Sequence, residues 1–166
     1  MKRNFAAYAQ MEAANVVLVP GLALWLGWPR TMFEVIAMFV SVIAVAGLLV
    51  VGAVFWRAID RRLKLRDRQT FASAVAIADV AQRPMAIAVF GSGIAVVVAF
   101  VAEGATRSVI AAATLSLLAS LEFVNYYHRQ LQIFDNPADF KRLLATRQFK
   151  QAHLARELAA FRERRR

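Results

Sequence analysis

Glu122 is the side chain whose surroundings most invite chemistry. It stands alone in an otherwise uncharged stretch from Ser108 to His128, and Asn125, Tyr126 and Arg129 follow it at i+3, i+4 and i+7. In a helix those spacings put all four side chains on one stripe. A carboxylate, an amide, a phenol and a guanidinium so aligned can relay a proton, bind a cation or hold a lipid headgroup. The structural alternative is that Glu122 pairs with Arg129, or with Arg57 or Arg83 from elsewhere in the chain, or bonds as a protonated acid to a neighbouring helix.

Other chemistries find less support. Gly91-Ser92-Gly93 with His128 has the residue types of an intramembrane serine protease. A serine nucleophile, however, needs its base within hydrogen-bond reach, and His128 is expected at the membrane surface on another helix. His128 and His153 are too far apart and too poor in acidic company to form a metal site. The chain has no cysteine, so thiolate metal sites and Cys nucleophiles are excluded. It also has no phosphate-binding glycine loop and no dinucleotide fingerprint. No catalytic residue, metal or cofactor is expected.

The elements that must position Glu122 follow from how charge is distributed. Of 166 residues, 60% are apolar and 19% charged, yet the formal net charge is +10. Mean hydropathy is +0.49. Ordinary soluble domains are about 45–50% apolar and about 25% charged, so a disordered chain is excluded and a nucleic-acid-binding module disfavoured. The charges are clustered. Ala13–Pro29, Val35–Trp56 and Pro84–Ala102 contain none, and Ser108–His128 contains only Glu122. About 20 apolar residues cross a bilayer as a helix, and these runs are apolar on every side rather than alternating as barrel strands do. The expected fold is therefore all-α, with four transmembrane helices at about 13–29, 33–56, 84–102 and 108–128. Residues 1–12 form an N-terminal segment, 57–83 a loop, and 128–166 a basic tail. Pro20-Gly21 leaves the first crossing open to a kink or a re-entrant path. No small-x-small cleavage site follows Trp25–Pro29, so this span is expected to be retained.

Lys and Arg orient such a protein. Of the 21, only Arg30 and Arg107 fall in the two short turns on one side, so both termini are expected in the cytoplasm, across an inner membrane. The turns are small, and Thr31-x-x-Glu34 has the form of a capping box. The loop carries Arg57, Arg61, Arg62, Lys64, Arg66 and Arg68, a set expected to meet anionic lipid headgroups. An interfacial helix is expected over Phe71–Val80, ended by Arg83-Pro84. Asn136-Pro137-Ala138-Asp139 reads as a helix start. Beyond it, Phe140, Leu143, Leu144, Leu154, Leu158 and Phe161 share an arc of a basic amphipathic tail.

Small residues at fourfold spacing, Gly91, Ala95 and Ala99 in the third span and Ser116 and Ser120 in the fourth, are expected to let helices approach closely, within the bundle or between copies. The function expected from these features is a small scaffold or accessory protein whose basic helices contact lipid or a membrane partner. The first alternative is a transporter or channel with Glu122 on its path. The second is an enzyme of lipid headgroups using Glu122, Asn125 and His128. No nucleic acid is expected as a partner. A reporter fused after Arg166 should be active only when it is one that works in the cytoplasm; activity of a periplasmic reporter there would reverse the orientation.

Overall fold

The computed structural model describes residues 5–131, 145 and 149–164. Lys2, Arg3 and the helix start at Asn136–Asp139, with Phe140, Leu143 and Leu144, lie outside these residues. The described residues form five helices: α1 (Phe5–Leu26), α2 (Met32–Leu65), α3 (Arg68–Glu103), α4 (Arg107–Tyr127) and α5 (His153–Glu163). The first four are long and apolar enough to cross a membrane, the architecture of a multi-pass membrane protein. At about 1.5 Å per residue, the 22 residues of α1 reach about 33 Å, enough for a hydrocarbon core of about 30 Å. The 34 and 36 residues of α2 and α3 reach roughly 51 and 54 Å. This pair overshoots a bilayer.

Helices α2 and α4 each touch the other three long helices, with α1 and α3 at opposite corners. The core runs along α2, where Met38, Ser41, Ala44, Val45, Leu48 and Phe55 are almost wholly buried. Their spacing keeps one face inward. Large apolar residues such as Trp25, Val80 and Val101 stay exposed on the outer faces, as lipid contact requires.

The break expected at Arg83-Pro84 is not found, and there is no separate helix over Phe71–Val80. Instead α3 continues through Pro84. Phe71, Ala74, Val75 and Ala78, one helical face, are buried in the core that α2 dominates. A proline inside a helix costs about 3 kcal/mol. Burying a Phe and a Val returns about 1.5–3 kcal/mol each, so the continuous helix wins.

The corner between α2 and α3 is a tight cap-to-cap junction. Arg66 takes the left-handed conformation (φ 56°), and Asp67 accepts from the Thr70 N–H (2.9 Å) and Thr70 hydroxyl (2.6 Å). Those two bonds, with Arg61 beyond them at 3.1 Å, hold the Asp67 carboxyl below the usual carboxylate range.

At the opposite end Glu34 ties both turns together. Its carboxylate accepts from the Arg30 N–H (2.7 Å) and the Thr31 N–H (3.4 Å), completing the capping box, and from the Thr106 hydroxyl (2.5 Å) at the start of α4. Glu34 is 4% exposed. Glu34→Ala leaves the Thr106 hydroxyl and two backbone donors without their acceptor, and should destabilise the chain by about 1–3 kcal/mol. In unfolding measurements in detergent, Thr106→Val should add less in the Glu34→Ala background than alone. Full additivity would contradict the link.

Candidate functional site

On α1, Glu12 opens the inward stripe that continues through Val16, Val19, Pro20 and Ala23. It is therefore carried into the bundle as one of the apolar positions would be, and is 8% exposed. On α4, Glu122 lies between the buried Ala119 and Tyr126, one turn from each. The two acids meet at the phenol of Tyr126, itself 3% exposed. Tyr126 Oη donates to Glu12 Oε1 at 2.7 Å, and Glu122 stands close to the same phenol. Asn125 Nδ2 approaches Glu122 Oε2 at 3.4 Å.

Room for the phenol is made by α2. A Cβ on Gly52 would fall on the Tyr126 hydroxyl and 2.7 Å from its Cζ. Glycine is required here by close approach across the α2–α4 diagonal, not by its backbone angles. Next to this site Tyr127 donates to the Ala78 carbonyl at 3.1 Å, fixing α4 against α3.

Among the described residues no cation pairs with Glu12 or Glu122. The structure thus separates the stripe anticipated from Glu122. Asn125 and Tyr126 stay with it, whereas Arg129 bonds to the Phe149 carbonyl (3.3 Å) and pairs with Gln151 in a short antiparallel bridge. Asn125 also has a local task, accepting from the Leu131 N–H at 2.9 Å. Glu12 was not anticipated. It sits just before the uncharged run, so a search of charge gaps passes over it; the signal that finds it is its register with Val16, Pro20 and Ala23.

The other candidate residues disperse. Arg61 pairs with Asp67 (3.1 Å), Lys64 with Asp60 (2.9 Å) and Arg62 with Glu157 (3.7 Å). Arg57, Arg66 and Arg68 are exposed and carry no partner among the described residues. Ala95 and Ala99 pack into a small core with Ala37, Val109 and Ala112. Gly91, in contrast, has open space where its side chain would be. Ser92, between them, is buried and bonds to Ser116 at 2.8 Å, and Ser120 bonds back to the Ser116 carbonyl. Ser92 therefore partners a serine rather than His128, which is exposed at the end of α4. Among the described residues no group of three metal-ligating side chains converges.

Beyond the site lies α5. Its Leu154 and Leu158 are buried against the bundle, and Arg162 bonds to Asp79 (2.6 Å) and Gln82 (2.6 Å) of α3. His153 sits edge-on to Phe55 and near Trp56, on which Phe5 stacks. The start of α1 and the whole of α5 thus gather at the α2–α3 end.

No protein-family model, curated protein or solved structure matches the chain.

The geometry makes Gly52 a test of the site. Gly52→Ala should displace the Tyr126 ring and destabilise the chain by about 1–3 kcal/mol. Tyr126→Phe, which strands a buried carboxyl, should cost a similar amount. Because both break the same bond to Glu12, the double variant should lose less than the sum in detergent melts. Additive losses would show that Gly52 and the Glu12 bond are independent.

Proposed function

We propose that this chain is a small multi-pass protein of an inner membrane that passes protons through Glu12, Tyr126 and Glu122. The observation that carries this reading is the convergence of two carboxyl groups about one phenol, with no cation paired to either among the described residues. A phenol has one proton to give, and it goes to Glu12. Glu122 stands beside the same phenol with only Asn125 bonded to it among the described residues, so a proton can pass between the two carboxyl groups by way of the phenol. Ionisable groups inside a membrane bundle are costly and mark ion or proton pathways. Pro20 supports the reading too, since it deprives the Val16 carbonyl of its helical donor and gives α1 a flexible point two turns beyond Glu12.

The orientation follows the basic residues: the α2–α3 end, where both ends of the described chain gather, faces the cytoplasm. Helix α5 then closes that face. The scaffold role retains one observation of its own. Gly93 has open space around it beside an apolar groove of about 570 Å³ between α3 and α4, a surface another membrane chain could fill.

The reading is tested in proteoliposomes under an imposed membrane potential, with an internal pH dye. The full chain should pass protons above the level of empty vesicles. Glu12→Gln and Glu122→Gln should each reduce that flux about tenfold or more while α-helix content is unchanged. Undiminished flux in both variants, or no flux above empty vesicles in the native chain, would overturn it and favour the scaffold role.

A further inference from the structure

A second site lies on the far side of α1, between it and α2, independent of the acid cluster. It is a groove of about 580 Å³ at the α2–α3 end. On the α1 wall Gln10 stands among the short side chains Ala6, Ala9 and Ala13. The α2 wall runs from Ala53 and Val54 to Arg57, Arg61 and Leu65 toward the α2–α3 end. The one acid in the lining, Asp60, is held by Lys64 at 2.9 Å. Arg61 shares its charge with Asp67, but Arg57 is exposed with no partner among the described residues.

We propose that this groove holds one anionic phospholipid, its acyl chain along the alanines and its phosphate on Arg57 and Arg61. The occupant is fixed by two features. First, the α2 wall passes from the apolar Ala53 and Val54 to Arg57 and Arg61 as it nears the α2–α3 end, which is the polarity of a phospholipid in the adjoining leaflet. Second, a second copy of this chain, with a net charge of +10, would bring the same arginines against these. The alanines matter by their size: on the α1 wall they leave beside the helix the room that longer side chains would fill. Gln10 is placed to bond the phosphate or glycerol oxygens beside Arg57.

The test titrates phosphatidylglycerol and phosphatidylcholine into the delipidated full chain in mild detergent and counts bound lipids by native mass spectrometry. Phosphatidylglycerol should be retained about tenfold better than phosphatidylcholine. Arg57→Gln should weaken phosphatidylglycerol about fivefold, the worth of one cation near a headgroup, and leave phosphatidylcholine unchanged. Ala9→Trp, which fills the groove without altering charge, should remove the bound lipid of either kind. Millimolar inorganic phosphate should not displace it. Retention unaffected by both substitutions, or displacement by free phosphate, would overturn the assignment. Proton flux plays no part in this readout, so the lipid site and the acid cluster fail separately.

Discussion

The hydrogen bond from Tyr126 to Glu12 is the constraint around which the middle of this bundle is arranged. Inside hydrocarbon a polar group must find its partner within the protein. A glutamate on α1 therefore pulls a phenol across from α4, and the phenol in turn brings Glu122 into the same cluster. That convergence dictates the glycine at position 52, because α2 packs against both helices and any side chain there would occupy the phenol's place. It also explains why α1, otherwise packed through Val16, Val19 and Ala23, is tied to the bundle by a specific polar contact rather than by apolar area alone.

The two ends are held differently. At the end of the short turns, a single carboxylate, Glu34, gathers donors from the α1–α2 turn and from the start of α4. At the α2–α3 end the helices project further, and ion pairs do the joining: Arg162 to Asp79 and Arg62 to Glu157 seat α5 over the bundle. These latter pairs are partly exposed, and such pairs contribute little each. The burial of Leu154 and Leu158 supplies most of what holds α5 in place.

Most of the architecture was legible in the spacing of charges. Val35–Trp56 and Pro84–Ala102 fall within single long helices, and Ala13–Pro29 and Ser108–His128 do so but for their last three residues and last residue, because a run of that length so poor in charge has one structure in a bilayer. Boundaries were less legible. Pro84 reads as a helix break in isolation, and only the apolar face Phe71–Ala78, matched to α2, keeps α3 continuous. The site was half legible. Glu122 declares itself by standing alone, and Asn125 and Tyr126 follow from its period. Glu12 does not, since it lies one residue before the uncharged run begins; its burial depends on the phase of α1, which Val16, Pro20 and Ala23 set. Arg129 shares the period of Glu122 but lies beyond the helix end, where backbone pairing with Gln151 redirects it. Gly91 and Ala95 share a spacing yet differ in use, because packing depends on which neighbour is present and not on the interval.

The chain contains no cysteine, so two can be introduced at will. The most direct measurement replaces Glu12 and Glu122 with cysteine together and treats the chain, in its membrane, with a short bifunctional thiol reagent. The account expects rapid cross-linking within a single chain, slowed when Gly52→Ala displaces Tyr126 between them, and no cross-link when Arg129 takes the place of Glu122 in the cysteine pair. Failure of Glu12 and Glu122 to cross-link, or cross-linking only between chains, would contradict the meeting of these two acids inside the bundle.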